Sequence, residues 1–191
     1  MPKFLKSLSI LATLALTGAA TAQEAAQPAE DAGLSMGQQV EPEAYIRETT
    51  GDWELECYKT GQEEEPCQLL QELYGSGGNQ VANIRVFGLP GGGAAVAGAV
   101  VAVPLETLLT AQLTIMVDVN APVRYPFSVC DPLGCYARIG FSQADIDAFK
   151  RGNQAIVSLV PFVAPDQRVD LKMSLTGFTD GFSKITAIVQ P

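Results

Sequence analysis

Residues 127–152, FSVCDPLGCYARIGFSQADIDAFKRG, decide the fold. Val123, Tyr125, Phe127 and Val129 alternate with Arg124, Pro126 and Ser128, the period-two spacing of a half-buried strand. Pro126 removes one ladder donor, so this strand lies at a sheet edge or bends there. Cys130 and Cys135 then bracket Asp131-Pro132-Leu133-Gly134. Pro presets φ and Gly accepts positive φ, so these four residues form a tight turn. A turn that brings its ends together predicts a Cys130–Cys135 disulfide, contributing about 2 kcal/mol by loop entropy. Residues 137–141 return as a strand. Ser142 and Asp145 have the spacing of a helix N-cap and its acidic partner, and Ile146 and Phe149 share one face. Lys150 and Arg151 suit the last turn and Gly152 suits its stop. One helix of about two turns is expected there.

Outward from this centre, the same alternation recurs. Trp53, Leu55 and Cys57 oppose Glu54 and Glu56, giving a strand with one wet face. Residues 59–66 form a polar loop, and residues 68–74 make the next strand. Residues 81–87, 94–103, 113–117, 155–163 (interrupted by Pro161) and 169–176 read as further strands, separated by Gly, Pro, Asn and Asp turns. Residues 177–182 lead into a short closing segment with Ile185 and Ile188. About nine short strands and one helix argue for an all-β antiparallel sandwich.

The N-terminus reads as a secretory signal over residues 1–22. Lys3 and Lys6 precede an apolar run too short to span a bilayer, and Ala20-Thr21-Ala22 fits a cleavage site before Gln23. Residues 23–44, rich in Ala, Gln, Glu and Pro, read as a disordered acidic leader. Residues 45–191 are assigned to the folded domain. Export places the chain in the periplasm or at the cell surface, where four cysteines form two disulfides. Four cysteines allow three pairings. Cys57 with Cys67 and Cys130 with Cys135 is the economical choice, and the sequence alone leaves it open. The formal charge is −9, and loss of Lys3 and Lys6 makes the mature chain more acidic. Nucleic acid and anionic lipid are therefore not expected as partners, and no membrane span is expected.

The chain contains no histidine. That removes Ser–His and Cys–His nucleophile activation, most zinc sites and the usual neutral-pH proton shuttle. Cys130 and Cys135 lie between strands beside Asp131, unlike a redox Cys-x-x-Cys at a helix N-terminus, so a structural bridge is the reading. Glu63-Glu64-Glu65 lacks the spaced ligands of a cation loop and reads as solvated. Gly91-Gly92-Gly93 lacks the following helix of a phosphate cradle and reads as a loop entering a buried strand. Asp118 and Asp131 would serve an acid-only secreted hydrolase if they met, which is the alternative function. The preferred expectation is a non-enzyme with no catalytic residue, metal or cofactor. Tyr125, Tyr136 and Phe141, with Leu133 at the turn, are the candidate binding patch around the Cys130–Cys135 loop, although Phe127 and Phe141 also suit the core.

Trp53 followed by Cys57 and Cys67, Val103-Pro104, Val117-Asp118, Cys130 with Gly134-Cys135, and Ser174-Leu175-Thr176-Gly177-Phe178 recur in one order. In this combination the chain resembles the invasion-associated locus B family of exported bacterial proteins, from about Gly51 onward. The resemblance implies an immunoglobulin-like sandwich with two local disulfides in a Gram-negative envelope. It carries over no catalytic or binding residue; the function expected of such an envelope protein is binding of an unknown protein or envelope component, with oligomeric state unspecified. The Gly and Ala tract over residues 91–99 departs from the family pattern.

Overall fold

Alternating apolar residues, punctuated by turns, give eleven strands, two α-helices and one short 3-10 helix among the described residues. The computed structural model describes residues 42–91 and 93–185. The expected signal segment, residues 23–41 of the expected leader, Gly92 and Ile188 lie outside them. The strands are β1 (Glu43–Thr50), β2 (Trp53–Lys59), β3 (Cys67–Tyr74), β4 (Gln80–Gly88), β5 (Ala97–Val103), β6 (Leu113–Val117), β7 (Val123–Tyr125), β8 (Val129–Asp131), β9 (Gly134–Phe141), β10 (Gln154–Leu159) and β11 (Val169–Ser174). The helices are α1 (Gln143–Arg151) and α2 (Phe178–Phe182). A seven-stranded sheet runs β1-β2-β3-β4-β5-β9-β8, and a four-stranded sheet runs β11-β10-β6-β7. All paired neighbours are antiparallel.

The two sheets bury one core between them. Leu69, Ile84, Val101 and Phe141 from the larger sheet meet Leu113, Val157, Leu171 and Met173 from the smaller. The period-two alternation makes this possible, because every second residue of each strand faces inward. Pro126 acts as both expected alternatives at once. The alternating run from Val123 to Val129 breaks there, and its halves become β7 and β8, edge strands of different sheets. The chain thus changes sheet where a ladder donor is missing.

Helix α1 follows the capping rules. Ser142 Oγ accepts from the Asp145 N–H at 3.3 Å, and Asp145 Oδ2 accepts from the Ser142 N–H at 2.9 Å, which is a full capping box. Ile146 and Phe149 are buried. Helix α2 was not expected, since the sequence reads there as a closing segment. Gly177 (φ +87°) starts it, and Phe178 is fully buried. A Cβ on Gly177 would overlap the Thr50 carbonyl, and a Cβ on Gly51 (φ +62°) would overlap that of Thr176. The two turns therefore touch backbone to backbone, joined by Asp52 N–H donating to Thr176 O at 3.1 Å.

One side chain locks the sheets together. Gln71, on the inner face of β3, accepts from the Ser174 N–H at 2.8 Å and donates to Ser174 O at 3.1 Å and Asp52 O at 3.0 Å. Its amide copies the donor–acceptor pattern of a strand and pairs with the edge of β11. Gln71→Leu keeps the volume but leaves the Ser174 N–H without its partner, so it should cost about 2–3 kcal/mol. Urea denaturation with an unchanged slope would measure this.

Candidate functional site

Among the described residues no cluster of three or more Cys, Asp or Glu side chains is arranged to hold a metal. The two carboxylates of the hydrolase alternative do not meet. Asp118 Oδ1 accepts from the Gln154 N–H at 3.1 Å and so sits at the start of β10. Asp131 sits at the β8–β9 turn before Gly134. The two lie in different turns and share no hydrogen-bond partner. Asp131 caps its own turn, as turn Asp residues do, whereas Asp118 caps the distant Asn153 and Gln154 N–H groups. Glu65 of the acidic run is held by the Tyr45 hydroxyl and by Arg47 at 2.7 Å. The Tyr45 hydrogen bond leads in holding its carboxyl below the usual range.

The structure divides the candidate patch between two faces of β9. Cys135, Ala137, Ile139 and Phe141 face the core, while Tyr136 and Arg138 face outward. Tyr125 packs edge-on against Phe141 with centroids 6.3 Å apart, which places it on the inner side. Burial, then the Asp145 charge, pushes its phenol pKa up. Tyr136 lies on the outer side, its hydroxyl donating to Asp131 Oδ1 at 3.1 Å. Leu133 stands at the tip of the turn, 89% exposed. Leu133 and Tyr136 thus belong to one loop, and Tyr125 does not.

The alternation that carried Tyr125 into the patch runs across a sheet change, which breaks the face that it implies. What gathers around Leu133 comes from two loops that the sequence did not single out. Val103 pairs with Cys135, so the segment after β5 leaves beside the disulfide turn. That segment bridges to the one after β10 through Thr107 and Pro161, with Phe162 N–H donating to Glu106 O at 2.8 Å. Leu105 is 53% exposed, Phe162 68% and Val163 74%. One end of the sandwich therefore carries bare apolar side chains on three loops. A run ending Val160-Pro161-Phe162-Val163 resembles a buried strand end, and only the pairing after Pro161 turns it outward. Pro161 in that run was the available signal.

The loops are held in place. The Cys130–Cys135 disulfide closes the turn, with Cα atoms 4.0 Å apart. Asp131 Oδ1 accepts from the N–H groups of Leu133 at 2.8 Å and Gly134 at 3.1 Å. Thr107 is buried and donates its hydroxyl to Pro104 O at 2.7 Å. Such an end can offer apolar anchors with little ordering cost on contact.

Known proteins share this architecture. The family model described as invasion associated locus B (IalB) protein matches residues 53–186. Two invasion protein B homologues of Brucella abortus, from strain 2308 and from biovar 1 strain 9-941, are each 27% identical over 146 residues. The match covers 76% of this chain and 82% of each relative. The crystal structure of invasion associated protein B from Bartonella henselae is similar with a TM-score of 0.59 at 22% identity. It covers 72% of this chain and 93% of that one.

Proposed function

The chain belongs to the invasion associated locus B family, and from that premise we propose that it is an exported, non-catalytic envelope protein that binds a partner protein through its disulfide-pinned loop end. Export is supported by the signal-like residues 1–22 and by two disulfides, which persist in oxidising compartments. Among the described residues, no helix is long and apolar enough to cross a membrane. The relatives are named for invasion and not for a reaction.

The observation that carries the reading is the exposure of Leu105, Leu133, Phe162 and Val163 on loops fixed by a disulfide, an Asx turn and backbone pairing. Rigid, exposed apolar side chains become the buried anchors of a protein interface. The acidic balance of the chain disfavours an anionic lipid surface as the occupant.

A photo-crosslinking residue at position 133 tests this in the intact envelope. It should capture one stoichiometric protein, and a crosslinker at position 143, on α1 at the opposite end, should not. Leu133→Asp with Phe162→Asp should abolish the adduct and leave the melting temperature within about 2 °C, since both side chains are solvent-exposed. Equal capture from both positions, or an adduct indifferent to the double variant, would overturn the loop-end assignment.

A further inference from the structure

Strand β3 outruns its neighbour. The β2–β3 ladder ends at the Glu54–Leu70 pair, while β3 stays paired with β4 as far as Tyr74. The chain before β2 turns away at Gly51 and Asp52 toward Thr176. Among the described residues, the lane that β2 occupies is therefore vacant alongside residues 72–74.

The pleat shows which backbone groups face that vacancy. Cys57 and Cys67 are directly opposed with Cα atoms 4.1 Å apart, the spacing of a non-hydrogen-bonded pair. The adjacent Tyr58 N–H donates to Pro66 O at 3.1 Å, as that phase requires. Gln68 and Leu70 then point their N–H and C=O groups toward β2. Glu72 and Tyr74, in the same phase, point theirs into the empty lane. In the opposite phase, Gly75 N–H donates to Asn79 O at 2.9 Å on the β4 side.

The far wall is also a strand edge. Ser174 directs its N–H and C=O away from β10 to the Gln71 amide. Lys172, two residues earlier, shares that phase. Between the two edges lies an open groove of about 480 Å³, lined by Asp52, Glu54, Gln71, Glu72, Tyr74 and Lys172 among others. Gln71 forms its floor and already bridges the gap with strand-like bonds.

Charge identifies the guest. Three carboxylates line the groove against one ammonium. Burial first, then the Glu54 and Glu56 charges, raise the Glu72 pKa, while Arg85 opposes them. A cation beside Glu72 relieves that repulsion, and Tyr74, 54% exposed, offers a ring face to an ammonium.

We propose that the vacant lane beside β3 receives an extended, cationic strand of a partner polypeptide, which adds to the seven-stranded sheet by backbone pairing with Glu72 and Tyr74. Main-chain bonds supply the affinity, and alternate basic side chains, directed at Glu54 and Glu72, supply the selectivity. This site is separate from the loop end and stands without it.

An acetylated, amidated (Lys-Val)4 peptide, titrated into isotope-labelled full-length domain, tests the proposal. The amides of Glu72 and Tyr74 should shift and exchange at least tenfold more slowly. The (Glu-Val)4 peptide should not bind. Nor should (Lys-Val)4 methylated on alternate backbone nitrogens along the pairing edge. Glu54→Gln with Glu72→Gln should weaken binding at least fivefold. No binding of (Lys-Val)4, shifts confined to other strands, or undiminished binding of the methylated peptide would overturn the proposal. So would pairing of two copies of this chain through the groove, read by cross-saturation. All these readouts sit on β3 and the neighbouring β2, so their failure leaves the loop-end crosslinking result untouched.

Discussion

Trp53→Ala should destabilise the domain by about 3–5 kcal/mol, lowering its melting temperature by roughly 10–15 °C. Trp53 is fully buried, and its removal takes away more than area. Its ring meets Phe178 edge-on at 5.4 Å; Phe178 meets Phe149 at 5.4 Å, Phe149 meets Phe141 at 5.0 Å, and Phe141 meets Tyr125. These rings link β2, α2, α1, β9 and β7, and each edge-to-face pair adds about 0.5–1.5 kcal/mol beyond burial. The indole N–H also donates to Ser174 O at 2.9 Å, beside the Gln71 bond to the same oxygen. Trp53→Phe separates the two contributions. It keeps most of the ring contact and loses the N–H bond, so it should cost about 1–2 kcal/mol because Gln71 still satisfies the carbonyl. Calorimetry of both variants checks the ranking. Equal losses would mean that the hydrogen bond, and not the ring packing, joins the sheets.

Such dependence on a few contacts explains which elements were legible in the sequence. Helix α1 is set by Ser142, Asp145, Ile146 and Phe149, all within eight residues, so local rules suffice. The cysteine pairs are equally local, because each closes a single hairpin. Helix α2 has no such signature. Gly181 in its middle is a poor helix former, yet a Cβ there would crowd Leu69, and Phe178 must reach Trp53. Its reason is tertiary. The same holds for the Thr-Gly of Thr176-Gly177, which looks like an ordinary turn until Gly51 is placed against it.

The site was less legible for a related reason. Leu133 could be read as a turn tip because the turn is short and bracketed. Tyr125 followed the alternation of Val123 to Val129, which holds locally but spans two sheets. Phe162 and Val163 look like core in any hydropathy reading, and pairing of their loop with Glu106 and Thr107 exposes them. The groove beside β3 is invisible to pattern altogether. It arises because one strand is longer than its neighbour's ladder, and a register is not written in composition.

Removing the two disulfides one at a time should separate stability from recognition. By loop entropy the Cys57–Cys67 bridge, ten residues apart, contributes roughly 3 kcal/mol, and the Cys130–Cys135 bridge, five apart, about 2 kcal/mol. Burial widens the difference. Cys57 and Cys67 are both fully buried in the core, whereas Cys130 is exposed and only Cys135 is buried. Cys57→Ala with Cys67→Ala should therefore produce the larger fall in denaturation midpoint. It should leave crosslinking from position 133 intact at temperatures where the variant is folded. Cys130→Ala with Cys135→Ala should show the smaller fall and the larger loss of capture, because the turn then relies on the Asp131 bonds to Leu133 and Gly134 alone. Under the proposed function, a freed loop must be ordered when it binds, and each rotamer-rich side chain fixed costs about 0.5–1.5 kcal/mol of affinity. Capture that survives loss of the Cys130–Cys135 bridge would show that the loop is not a preorganised contact. Loss of capture with the Cys57–Cys67 pair alone would move the binding surface toward β2 and β3.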